Sequence, residues 1–166
     1  WPGSAYVFVN NGSTWTLQQK LTASDGASSD QFGQVVAISG DTVLVGAFFK
    51  ANGAATQQGA AYVFVRTNGV WTQQQKLLAA DGVASDRFGA SVALNGNTAM
   101  IGASSAQIGG NSQQGAVYVF TRNGATWSQQ QKLTAGDGAA GDAFGTAVAL
   151  DGNTVLVGAA DKDNAA

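Results

Sequence analysis

Apolar and polar positions alternate along this chain in short runs, each closed by Gly, Asn or Asp. AYVFV (5–9), AYVFV (61–65) and VYVFT (117–121) are β-branched and aromatic, the composition of strands. Each is followed by an Asn/Gly turn, NNGST, RTNGV or RNGAT. Next comes a Trp-led alternation such as WTQQQKL (71–77), in which Trp71, Gln73, Gln75 and Leu77 share one face. A polar loop with two aspartates leads to FGQVVAI (32–38), FGASVAL (88–94) and FGTAVAL (144–150). A tight turn, SGD, NGN or DGN, joins these to TVLVGA (42–47), TAMIGA (98–103) and TVLVGA (154–159). QQQKLLAA alone could form a helical turn, but its flanks and its repetition assign it to a strand. The pattern predicts an all-β chain.

The runs recur in phase. Tyr6, Tyr62 and Tyr118 are spaced by 56 residues, as are Trp15, Trp71 and Trp127, the three QKL segments, the Phe-Gly pairs from Phe32, Phe88 and Phe144, and Gly46, Gly102 and Gly158. The repeat units are 1–56, 57–112 and 113–166, within one domain spanning 1–166. Four short antiparallel strands at a period above about 40 residues are the signature of a β-propeller blade. The small residues of FGxxVAL suit the crowded central axis. The polar Trp-Gln strand suits the outer edge, where Lys20, Lys76 and Lys132 would blunt pairing with other chains.

Composition narrows the chemistry. The 166 residues include no His, no Cys and no Glu, so all ten acids are aspartates. That excludes a Ser-His-Asp or Cys-His nucleophile, a Cys/His zinc site and thiol redox chemistry. A net charge of −2 argues against a nucleic-acid or anionic-membrane surface. Apolar runs such as VLVGAFF (43–49) fall far short of the ~20 residues that span a bilayer. No charged-then-apolar leader opens the chain, which reads as mature or trimmed. An enzyme would need a general acid or base, and aspartate is the only carboxylate available, in a repetitive set. The chain is therefore expected not to be an enzyme.

FG followed by a small apolar strand, then VLVGA, then GAAYVF, resembles the FG-GAP repeat, the blade of integrin-α propellers and of many bacterial surface proteins. The bacterial subtype, QKLxAxDGxxxDxFGxxVALxGxTxxxGA, resembles the whole chain. The resemblance implies a β-propeller in an extracellular or cell-surface setting. Two departures stand out. The proline of the family's name is absent, the segments reading GAF (46–48), GAS (102–104) and GAA (158–160). The integrin-type Dx(D/N)xDGxxD calcium loop is cut to ISGDT (38–42), LNGNT (94–98) and LDGNT (150–154). One carboxylate or none is too few for a shell of about six to eight oxygens. No cofactor is expected, calcium being the one candidate.

The strand count does not close. The chain opens on the third strand of a blade and ends on the second, giving a half-blade, two complete blades (32–77 and 88–133) and a second half-blade. Clasping the halves within one chain would make a three-bladed ring. Its sheets would diverge by about 120°, too far for faces that pack about 10 Å apart. The expectation is therefore that the halves of separate chains complete each other, as a six-bladed dimeric ring or a head-to-tail filament. Such an assembly would be a scaffold or adhesion module, with itself as the first partner and a surface protein or glycan as a further one. The alternatives are a lectin-like glycan-binding propeller and a piece of a longer FG-GAP propeller.

Three groups are candidate contacts. The pairs Asp25/Asp30, Asp81/Asp86 and Asp137/Asp142 form either a ring of carboxylates for a cation or polar ligand, or a structural turn whose second aspartate positions the inner strand. The second reading is favoured because blade-building residues must recur. Trp15, Trp71 and Trp127 either stack on sugars or cap the apolar layer, with capping favoured. Arg66, Arg122 and Asn10 are expected to bond near the turn that follows the YVF strand. The loops after VGA differ most between copies, so Phe48, Phe49 and Lys50 form the candidate contact patch. The DKDN run (161–164) has calcium-ligand character but lacks the glycine and distal acid of an EF-type loop.

Overall fold

A computed structural model describes residues 1–163; Asn164, the last residue of the DKDN run, lies outside them. Twelve strands occur among the described residues: β1 (Ala5–Asn10), β2 (Trp15–Leu21), β3 (Val36–Ser39), β4 (Thr42–Ala47), β5 (Ala60–Thr67), β6 (Val70–Leu77), β7 (Phe88–Asn95), β8 (Thr98–Ala103), β9 (Ala116–Asn123), β10 (Thr126–Leu133), β11 (Phe144–Asp151) and β12 (Thr154–Ala159). They pair antiparallel in sequence order as β1-β2, β3-β4-β5-β6, β7-β8-β9-β10 and β11-β12. These are propeller blades, two whole and two halved. The halves stay in separate sheets, so no clasp forms among the described residues.

Adjacent blades meet closely at their inner strands. A Cβ on Gly46 would lie 2.2 Å from the Gly89 carbonyl oxygen, and one on Gly102 would lie 2.1 Å from that of Gly145. This approach explains the glycine one residue before the end of β4 and β8. Gly158 of β12, which no further blade follows among the described residues, would have only Ala147 nearby, at 3.5 Å.

The first inner strand departs from expectation. Strands begin at Phe88 and Phe144, but β3 begins only at Val36, although Phe32 bridges Gly3 in parallel just as Phe88 bridges Gly59 and Phe144 bridges Gly115. Among the described residues, no second strand stands before β3 as β4 and β8 stand before β7 and β11. Phe32 is nevertheless buried, edge-on to Tyr62 at 5.6 Å and Phe64 at 6.0 Å. Phe88 repeats this against Tyr118 and Phe120, at 5.5 and 6.0 Å. These edge-to-face clusters anchor the inner strand of each complete blade to its third strand.

Candidate functional site

Each Asp-pair loop joins one blade to the next, and its bonds determine what the aspartates can do. The second aspartate accepts the N–H three residues before it: Ala27 on Asp30 at 2.7 Å, Val83 on Asp86 at 2.8 Å and Ala139 on Asp142 at 2.8 Å. Side chains at Ser29, Gln31, Ser85 and Arg87 take left-handed backbone conformations within these tight loops. The first aspartate reaches into the following blade. Asp25 accepts Tyr62 Oη at 2.7 Å and Lys76 Nζ at 2.8 Å; Asp81 accepts Tyr118 Oη at 2.9 Å and Lys132 Nζ at 2.7 Å. Burial alone would raise Asp25 and Asp81. The hydrogen bonds from lysine and tyrosine outweigh it, holding both carboxyls below the usual 3.8. Burial first, then the facing carboxylate, pushes both tyrosines well above their usual range.

Lysines complete two of the three loops. Lys50 Nζ bonds the Asp25 carbonyl oxygen and Asp30 Oδ2, the latter at 3.0 Å. Lys162 Nζ bonds the Asp137 carbonyl oxygen at 2.9 Å and Asp142 Oδ2 at 3.2 Å. Lys50 is buried, so it cannot belong to an exposed contact patch, and that expectation is corrected. Lys76 and Lys132 are likewise drawn into the Asp loops rather than standing free along the outer edge.

Glutamines carry a second inter-blade link that the sequence pattern did not disclose. Gln19 bonds both the N–H and the carbonyl of Trp71, at 2.8 and 2.7 Å, and Gln75 does the same for Trp127, at 2.8 and 2.9 Å. The indole N–H groups donate to Gln18 at 2.9 Å and Gln74 at 3.3 Å. The available signal was the repetition of QQ at the 56-residue period, which a merely solvated strand does not require.

Residues 15–64, 71–120 and 127–166 each match the model of the FG-GAP repeat, which thereby covers most of the chain. The chain belongs to the FG-GAP repeat family. Over 104 residues it is 31% identical to Integrin alpha-2 of Mus musculus, a match covering 60% of this chain but only 9% of that protein. These FG-GAP repeats form integrin-like propeller blades.

The turns where an integrin-type calcium loop would lie do not fit the ion in these FG-GAP units. Asp41 is paired with Arg66 at 2.6 Å, and Asn97 accepts Arg122 Nε at 2.9 Å. Both arginines thus bond at the neighbouring turn, as expected. Asn10 receives the Gly12 N–H at 2.7 Å. Among the described residues, no group of three acidic side chains is placed to hold a metal. Trp71 and Trp127 are buried as layer caps; Trp15 lies exposed, with no preceding fourth strand among the described residues to bond it. Phe48 and Phe49 are half-buried with ring centroids 4.4 Å apart, and Arg87 lies over the Phe49 ring at 5.5 Å.

Proposed function

We propose that this FG-GAP chain is a non-enzymatic interaction module that assembles with further copies of itself by completing the split blade, as an extracellular or cell-surface scaffold or adhesion element. The carrying observation is that the free edges of β1 and β12 are the two edges missing from a single blade. Tyr6 and Phe8 are 55% and 52% exposed, whereas their counterparts Tyr62 and Phe64 in a whole blade are 0% and 3% exposed. In the whole blade, β4 pairs with β5 so that Thr42 faces Val65 and Leu44 faces Val63. Carried across the junction by the 56-residue period, Thr154 of one chain faces Val9 of another, Leu156 faces Val7, and Gly158 packs on Gly33. Asp137 would then receive Tyr6 and Lys20 of the other chain, as Asp25 receives Tyr62 and Lys76.

Unpaired apolar strand edges favour such pairing, and completing them removes both open edges at once. Two chains would close a six-bladed ring; a rotation that fails to close would extend a filament. Light scattering at micromolar concentration tests this reading, the expected mass being a dimer or a larger series. A well-folded monomer overturns it and favours the second reading, that neighbouring repeats of a longer propeller supply the missing strands. That reading draws on the small share of the mouse integrin that the chain matches.

A further inference from the structure

Consecutive blades are joined at their outer strands by one repeated set of bonds. The amide of Gln19 in β2 brackets the main chain of Trp71 in β6, and that of Gln75 in β6 brackets Trp127 in β10. The residue before each of these glutamines, Gln18 or Gln74, accepts the indole N–H of the same tryptophan. Trp71 and Trp127 are 3% and 2% exposed, and Arg66 and Arg122 lie over their rings at 5.3 Å. The two half-blades each keep one side of this set. Trp15 stands in the same register, facing Asn10 as Trp71 faces Arg66 and Trp127 faces Arg122, yet it is 70% exposed. Gln130 and Gln131 of β10 are exposed, whereas Gln74 and Gln75 of β6 are half-buried. One link of the set is not carried. Gln73 and Gln129 accept the Ser24 and Ala80 N–H groups at 2.9 Å, but Leu17 stands where a third such glutamine would.

We propose that Trp15 is the anchor by which one copy of this chain recognises the next, and that the exposed Gln130/Gln131 pair on β10 of the preceding copy is its receptor. This anchor rests on the split-blade assembly proposed above and adds a second contact to it, at the outer strands rather than at the β1 and β12 edges. The 56-residue period carries Gln131 onto the main chain of Trp15 and Gln130 onto its indole N–H, the pairings that Gln19 and Gln18 make with Trp71. A glutamine amide holds both an acceptor oxygen and N–H donors, so it binds the N–H and the carbonyl of one residue together. That two-point match fixes register. It also fixes polarity: Gln18 and Gln19 are already engaged by Trp71, so two N-terminal halves cannot serve each other. With Leu17 unable to accept an N–H, polar recognition at these outer strands falls to Trp15. A large indole entering a desolvated slot is the kind of side chain on which interface energy concentrates.

Acrylamide quenching of tryptophan fluorescence, read with light scattering on the same samples across a concentration series, tests the anchor in a Trp1→Phe chain. Trp1 is fully exposed and Trp71 and Trp127 are buried, so Trp15 is then the one indole open to the quencher in the separate chain. As the mass rises, Trp15 emission should shift to the blue and its quenching should be lost. Trp15→Ala, and separately Gln130→Ala with Gln131→Ala, should each weaken association at least about tenfold, since either change removes the central contact. Combining them should cost little more than either, because both remove one interaction. Melting of the separate chains should be nearly unchanged, all three side chains being exposed there. An assembly in which Trp15 stays open to acrylamide, or whose strength is unchanged in a folded Trp15→Ala chain, overturns the anchor and leaves the split blade standing. A chain that stays monomeric at every concentration overturns both.

Discussion

Replacing Leu156 with aspartate separates assembly from folding. The same position in the complete blades is closed off, Leu44 being 0% exposed and Met100 7%, whereas Leu156 is 74% exposed. Leu44 belongs to a core cluster with Phe88, with Val92 and Leu94 packed against it. By the 56-residue period, Leu156 would face Val36 and Ile38 of a second chain, which are exposed here. Covering three quarters of a leucine side chain contributes about 1–2 kcal/mol. Aspartate forfeits that and brings a carboxylate into an apolar junction without a partner. The combined cost is about 3 kcal/mol per junction, after allowing for water at the strand edge. That corresponds to roughly a hundredfold weaker association. In the separate chain the side chain stays in solvent, so stability should change by no more than about 0.5 kcal/mol. Sedimentation equilibrium across a concentration series reads the first quantity, and melting at the lowest concentration reads the second. An Leu156→Asp chain that associates as tightly as the parent refutes the junction, and one that unfolds refutes the claim that the edge is open.

Four further outcomes are expected. Phe88→Ala, which empties the slot against Tyr118 and Phe120, should cost about 3–5 kcal/mol in urea denaturation. Gly46→Ala drives a Cβ against the Gly89 carbonyl and should destabilise by more than about 2 kcal/mol, whereas Gly96→Ala, in open space at φ +54°, should cost about 1 kcal/mol. Asp25→Asn should lower stability near neutral pH by about 1 kcal/mol, since the partly exposed carboxylate loses its lysine partners. The Asp25 carboxyl is held below 3.8 in the fold, so its contribution is present above the usual carboxyl value and lost as pH falls through the folded one; the parent and variant curves should converge in acid. Asp86 has the opposite sign: burial raises its carboxyl, so its charge opposes folding as pH rises past the folded value. Asp86→Asn should match or exceed the parent in thermal melting at neutral pH.

Much of the fold was legible because each strand declares itself locally. The YVF strands, the Trp-Gln strands and the VGA strands occur where alternation and turn residues predict them, and the strand phase foretold two whole and two half blades. The exception is β3, whose shortening depends on a neighbour that only the assembled sheets reveal as absent. The site was less legible. Repetition favoured a structural role for the aspartates, yet nothing in the loop sequence paired Asp25 with Tyr62, 37 positions away, or Asp81 with Lys132, 51 positions away. The contact patch at Phe48 and Phe49 drew in Lys50 because a lysine in a variable loop reads as solvated. Its burial follows from the acceptors that the preceding loop presents to it.

What the sequence by itself determined is periodic and local: an all-β chain, its blade unit, the phase at which the unit is cut, and the absence of imidazole and thiol chemistry. Strand propensity, turn chemistry and a repeated pattern act over a few residues, so they survive reading in one dimension. Tertiary structure alone decided which charges meet and which stay open. Asp25 meets Tyr62 and Lys76, 37 and 51 positions away, through the packing of one blade on the next. Identical strand sequences, TVLVGA at β4 and β12, are buried in one place and partly open in the other. Burial and ion pairing depend on the neighbouring sheet, and a neighbour is a property of the packed blades rather than of the repeat.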